Sequence, residues 1–204
     1  MSIPGAASPL LLATTAAAAA DFKISRSLRF SSGDSSYLSR TPSSAGNRKT
    51  WTWSGWIKRG DLTSGGPYGT VIFSADVGNA PWTAFQFESS DATLQITTTA
   101  GSSAGLKTNA VFRDPSAWYH LVIAFDTTQS TASDRVKCYV NGVAQTFSNT
   151  NYPAQNSDTK ANGTFPQYIG FTNNQYFDGY LADVHLVDGQ ALDPTDFGEY
   201  DDNN

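Results

Sequence analysis

A single cysteine, Cys138, means that this 204-residue chain can close no disulfide within itself and offers no cysteine-based zinc site. Charge is scarce as well. Asp, Glu, Lys and Arg make up 15% of the residues, well short of the usual share of about a quarter, and acids outnumber bases 18 to 13. The resulting net charge of −5 and pI near 4.8 argue against a non-specific nucleic-acid binder, which needs clustered bases. The bases that do gather, Arg40, Arg48, Lys49, Lys58 and Arg59, read as loop and strand-end residues with no interleaved aromatic platform. No apolar run is long enough to cross a bilayer. Glutamates are few, and nothing matches the Glu-x-Asp-x-x-Glu strand that aims an acid and a nucleophile from one face of a glucanase. Glu88 is followed by Ser89, Ser90 and Asp91, a turn, and Glu199 lies near the carboxyl end. The two histidines, His120 and His185, fall within expected strands, and no glycine-flanked serine turn precedes them. The glycine pairs around Gly65-Gly66 and Gly101 to Gly105 lack the lysine and helix of a phosphate cradle. The chain is therefore not read as an enzyme.

What is abundant is Ser, Thr, Asn, Gly and aromatic side chains, the composition of a β-protein with many polar turns. Expected strands are Ser27 to Phe30, Tyr37 to Ser39, Thr50 to Arg59, Thr70 to Asp76, Ala84 to Glu88, Ala92 to Thr99, Ala110 to Phe112, Trp118 to Thr127, Val136 to Val140, Val143 to Phe147, Gln167 to Phe171 and Gly179 to Val187. Period-two alternation places Tyr119, Leu121, Ile123 and Phe125 on one face and His120, Val122, Ala124 and Asp126 on the other. By the same rule Trp51, Trp53, Gly55 and Ile57 are core, while Trp56 shares its face with Thr52, Ser54 and Lys58. Cys138 lies with Val136 and Val140 and reads as a buried structural thiol. Asn141-Gly142 between Val140 and Val143 predicts a two-residue type I′ hairpin. Asn149 to Asn162 has no periodicity and reads as the longest loop, and Asp193 to Phe197 as a short helical turn.

The strand Trp118-Tyr119-His120-Leu121, the hairpin Val136-Lys137-Cys138-Tyr139-Val140-Asn141-Gly142, the block Trp51 to Lys58 and the closing Phe177-Asp178-Gly179-Tyr180-Leu181-Ala182-Asp183-Val184 together resemble laminin-G-like domains of the concanavalin A-like lectin and glucanase superfamily. The resemblance runs from about Phe22 to Tyr200 and implies an all-β, concanavalin A-like (jelly-roll) sandwich of two antiparallel sheets. The stretches Ser27 to Phe30, Tyr37 to Pro42, Gly46 to Trp56 and Asp188-Gly189-Gln190-Ala191-Leu192 are most similar to such domains in virion proteins of tailed phages, especially marine ones. That likeness implies a non-enzymatic virion structural protein, in a fibre, tail appendage or capsid decoration, with other virion proteins as partners and a homo-oligomeric state. Such a protein presents its sandwich to a host-surface glycan, or serves assembly alone; a secreted bacterial carbohydrate-binding module is the other reading.

Residues 1–21 differ in composition from all that follows, with Pro4, Pro9, Leu10, Leu11, Leu12 and a run of alanines. No Lys or Arg precedes Lys23 and two prolines interrupt the apolar stretch, so the segment reads as an extended docking arm in preference to a secretory signal. Burying Leu10, Leu11 and Leu12 against a neighbouring subunit would contribute about 1.5–3 kcal/mol each before ordering costs. The sandwich is expected over residues 22–200, with a short tail at 201–204. Sugar binding needs an exposed ring to stack on a pyranose face, with polar groups around it. Trp56, Tyr68, Trp82 and Tyr176, with Asp178, are the candidates. No cofactor is expected. A structural calcium ion would draw on Asp126, Asp134, Asp178 and Asp183 if their loops converged.

Overall fold

The computed structural model of the protein describes residues 24–62, 69–75, 82–98 and 105–198. Two antiparallel sheets face one another. The first runs in the order β1 (Leu28–Phe30), β15 (Gly179–Asp188), β3 (Thr50–Arg59), β8 (Tyr119–Asp126), β9 (Val136–Val140) and β10 (Val143–Ala144). The second runs β11 (Phe147–Thr150), β7 (Gly105–Val111), β6 (Thr93–Thr97), β5 (Thr83–Phe87), β4 (Thr70–Ala75), β12 (Gln167–Ile169) and β2 (Leu38–Arg40). A small ribbon of β13 (Phe171–Thr172) and β14 (Gln175–Tyr176) completes the described strands. No described helix is long and apolar enough to cross a membrane.

Alternation decides what lies between the sheets. Trp51, Trp53 and Ile57 of β3, Leu121, Ile123 and Phe125 of β8, and Val136, Cys138 and Val140 of β9 all enter the core, where they meet Phe73, Phe85, Phe87, Leu94, Ile96 and Leu106 of the opposite sheet. Trp51 lies flat on Phe125, with ring centroids 4.2 Å apart, and stacks on Phe85 across the sheets at 6.1 Å. Complete burial of the Cys138 thiol pushes its pKa up, which makes it inert as a nucleophile.

Asn141 and Gly142 both hold positive φ, 48° and 73°, and join Val140 to its partner Val143 as a type I′ turn. Gly142→Ala is expected to lower stability by about 1 kcal/mol, because a Cβ is disfavoured in this left-handed conformation, with no change in the core; thermal unfolding checks it.

The chain departs from the sequence expectation in several stretches: β7 begins at Gly105 and not at Ala110, and Gln167 to Phe171 divides into β12 of the second sheet and β13, which pairs with the unexpected β14 in the small ribbon. Val143 to Phe147 is not one strand: β10 pairs with β9 and β11 with β7, so the chain changes sheets between Ala144 and Phe147. The segment 149–162 is not simply a solvated loop. Its Thr159 hydroxyl accepts from Trp51 Nε1 at 2.9 Å and donates to the Arg48 carbonyl at 2.8 Å, while Ala161 is fully buried. A polar sequence conceals this role because one hydroxyl satisfies the single donor of a core tryptophan.

After β15 the chain turns back over the outer face of the six-stranded sheet. The Thr52 hydroxyl donates to the Gln190 carbonyl at 2.7 Å and accepts from the Leu192 amide at 2.8 Å. A single turn of 3₁₀ helix, Pro194–Asp196, follows, capped at Asp193. Phe197 then reaches His120 and His185, with centroids 6.4 and 6.2 Å away. This strap covers Thr52, which alternation places on the outside of the sandwich with Ser54, Val122 and Ala124, all of them buried.

Candidate functional site

The strap covers one end of the outer face and leaves the other open. At the open end the register sets Ala182 beside Trp56, and Tyr180 beside Lys58 on one flank and Arg29 on the other. A cavity of about 440 Å³ opens here, lined by Ile24, Ser25, Arg26, Ser27, Trp56, Trp118 and Ala182. Trp118 immediately precedes the inward-facing Tyr119, so its indole points outward, and it is 36% exposed. Trp56 is half-buried and rests on the His120 imidazole, with centroids 4.9 Å apart and planes 26° apart. His120 Nε2 lies 3.0 Å from the Ser54 hydroxyl, which fixes the imidazole as a backing plate for the indole. Burial lowers the His120 pKa, Asp183 opposes this, and His185 adds to it, so the ring is neutral at pH 7. The geometry offers two aromatic plates, serine hydroxyls and a guanidinium in one concavity. Ser54 is 1% exposed, out of reach of a substrate.

The other residues expected to bind sugar are dispersed. Tyr68 lies outside the described residues, as do Leu10, Leu11 and Leu12 of the arm. Trp82 is partly buried just before β5 and is absent from the cavity wall. Tyr176 belongs to a separate ring cluster with Phe171 at 5.1 Å and Tyr37 at 6.3 Å. Asp178 accepts from the Ser32 hydroxyl at 3.1 Å.

The four aspartates considered for calcium do not converge. Asp126 and Asp134 border one polar cleft with Asp193 and Asp196, Asp178 holds Ser32, and Asp183, on the bulge of β15, sits 2.9 Å from His185 Nε2. Local donors already occupy Asp126: the Thr128 amide and hydroxyl, Gln129 Nε2 and the Thr50 hydroxyl. Among the described residues no three His, Cys, Asp or Glu side chains are grouped to hold a metal ion.

An ion pair on the other sheet sets a pH response. Asp91 and Lys107 are 2.7 Å apart, and Asp91 also accepts from the amide and hydroxyl of Thr93. Burial alone would raise the Asp91 pKa; the bonds from Lys107 and Thr93 outweigh it and hold it at about 2. A carboxyl depressed in the folded state stabilises the fold above its unfolded pKa near 4, and that contribution fades as pH falls from about 4 to about 2. Asp91→Asn is therefore expected to lower the melting temperature at pH 7 modestly, because the pair is only partly buried, and to flatten the acid limb of the melting-temperature profile over that window.

A family model described as the concanavalin A-like lectin/glucanases superfamily, Laminin_G_3, matches residues 31–196. The chain belongs to this laminin-G-like family. Solved structures similar to this laminin-G-like domain include domain 4 of AbnA, an extracellular arabinanase from Geobacillus stearothermophilus, in complex with arabinotriose. The two share 21% identity over 73% of this chain and 65% of that one, with a TM-score of 0.54. A heptameric SAP-like pentraxin from Limulus polyphemus gives 18% identity over 76% and 70%, with a TM-score of 0.51. Domains LG4-5 of the mouse laminin alpha1 chain give 14% over 81% and 42%, with a TM-score of 0.54. The chain thus spans less than two thirds of the arabinanase domain chain and of the laminin chain. No curated protein matches it in sequence. At these identities the likeness establishes the fold, a concanavalin A-like sandwich.

Within the laminin-G-like domain, sequence reasoning names Trp56 as a candidate and does not name Trp118 or Arg26, which line the same cavity. Trp118 and Arg26 carry no local signal of their own. Only the pairing of β3 with β8, with Trp56 opposite His120 and Ile57 opposite Tyr119, brings Trp118 to the same cavity.

Proposed function

We propose that this protein is a non-enzymatic carbohydrate-binding domain that holds a sugar between Trp56 and Trp118. The observation that carries the reading is the aromatic-lined cavity itself: two outward indoles, one of them backed by a fixed imidazole, flanked by hydroxyls and a guanidinium. A pyranose presents an apolar C–H face to such plates and hydroxyls to the polar rim. The arabinotriose bound to a domain of similar fold supports the same class of ligand. Binding without turnover is proposed because the described site contains no paired carboxylates at glycosidase spacing and its one serine–histidine contact is closed off.

The setting proposed for this binding is a virion, on the sequence resemblance to tailed-phage structural proteins, with residues 1–21 as the arm that attaches each copy to neighbouring subunits. Many copies would turn weak binding per site into useful adhesion through avidity. Isothermal titration of the chain with a panel of neutral and acidic oligosaccharides tests the binding: heats that vanish in Trp56→Ala/Trp118→Ala support it, and their absence across the panel refutes it. Comparing purified particles that carry the full chain with particles that carry a chain lacking residues 1–20 tests the setting. Loss of the protein from the particle, with an unchanged folded domain, is the expected outcome.

A further inference from the structure

We infer that the sugar held at the Trp56 cavity is carboxylated, a uronic-acid or related acidic oligosaccharide; this rests on the carbohydrate-binding reading above. The charge distribution carries the inference. The chain is acidic overall, with a net charge of −5, yet three cations, Arg26, Arg29 and Lys58, gather at the open end of the outer face, with Asp114 and Asp183 as the nearby acids. Arg26 lines the cavity directly. Residues two apart on a strand share a face, so Lys58 stands on the face of Trp56, and Tyr180 on that of Ala182. The register places Arg29, Tyr180 and Lys58 side by side, within the cross-strand spacing of about 4.5–5.5 Å between Cβ atoms.

Three cations and three aromatic rings thus share one surface. Arg26, Arg29 and Lys58 enter no ion pair or side-chain hydrogen bond among the described residues. The acid that senses Lys58 is Asp114. Its carboxyl is held low first by the hydroxyl and amide of Ser116, both of which donate to Oδ1. Among the described residues Arg40 and Lys49 are equally uncommitted but lie away from the cavity, whereas Arg48 is spent on Thr159 and Asp158, Arg135 on the carbonyls of Gln129, Ser130 and Pro153, and Lys107 on Asp91. Uncommitted guanidinium groups next to stacking rings match a ring that carries both an apolar face and a carboxylate, which arginine grips through two parallel N–H bonds.

The test uses matched pairs that differ in the carboxylate: trigalacturonic acid against galactotriose of the same linkage, and 3′-sialyllactose against its methyl ester, each titrated calorimetrically into the full chain. The acidic member of at least one pair is expected to bind about tenfold or more tightly at low salt, with the preference shrinking several-fold in 0.5 M NaCl. In Arg26→Gln/Arg29→Gln/Lys58→Gln the preference is expected to collapse to within about twofold, while circular dichroism and melting temperature report an intact fold. Equal affinities within both pairs, with binding still lost in Trp56→Ala, would overturn the inference and leave the carbohydrate-binding reading standing. A preference that survives removal of the three charges would overturn it too. Binding of an acidic probe that is indifferent to Trp56→Ala would overturn both, as would the failure of all four probes to bind.

Discussion

Arg59→Ala is expected to destabilise the domain by about 3–5 kcal/mol, whereas Arg59→Met is expected to be near neutral or stabilising. Arg59 ends β3 on its inward face and is 1% exposed. Its Nη1 donates to the carbonyl of Phe112, and its guanidinium lies 4.5 Å from the centroid of the Phe87 ring. Its Nε and Nη2 meet no acceptor among the described residues. Burial lowers the pKa, with Tyr119 and Asp61 opposing it, so the charge is held at a desolvation cost that one hydrogen bond and one ring only partly offset. Truncation to alanine leaves a void beside Phe87 and an orphaned carbonyl at Phe112, both costly. Methionine leaves the same carbonyl unpaired but fills the volume and removes the two unsatisfied donors, and that relief offsets the lost bond to Phe112 and the ring contact. Urea unfolding of the two variants at one pH separates these outcomes. Equal large losses would mean that the guanidinium is held by partners stronger than those described.

The second large effect concerns binding. Trp56→Ala/Trp118→Ala is expected to weaken oligosaccharide binding by at least about 30-fold, the loss of roughly 2 kcal/mol typical of removing a central aromatic anchor. Stability should fall far less than for Trp51 or Trp53, because both rings sit outside the core. Trp118→Ala alone removes a plate that touches solvent and should keep the fold unchanged. Trp56→Ala also uncovers His120, whose pKa is lowered by burial. A group depressed in this way opposes folding as pH drops below its unfolded value near 6.5, so uncovering it should soften acid destabilisation below about pH 6.5. Binding and stability therefore move in separable ways, and calorimetry with thermal unfolding reads both.

Much of the sandwich was legible in the chain. The bounds of β3 and β9 follow from tryptophan and valine alternation, and the type I′ turn from Asn141-Gly142, because these signals are local and each strand has one face in the core. The change of sheets after Ala144 was not legible, since Val143 to Phe147 alternates continuously and only its partners differ. Nor was the strap, whose hold on Thr52 depends on a hydroxyl reading as outward and solvated while being fully buried. The site divides in the same way. Trp56 stood out by sharing a face with hydroxyls and a lysine, but the clustered bases looked like scattered strand ends until the register set Lys58 beside Tyr180 and Arg29. Long-range pairing assembles that surface, and spacing along the chain does not encode it.

The account stands most directly on the indole N–H resonances of the five tryptophans, followed by NMR as trigalacturonic acid and, separately, galactotriose are added to the full chain. Binding at the cavity predicts that the signals of Trp56 and Trp118 shift in a saturable way while those of Trp51 and Trp53, sealed in the core, stay fixed. Silence from Trp56 and Trp118 with both sugars, or saturable shifts confined to Trp82, would contradict it.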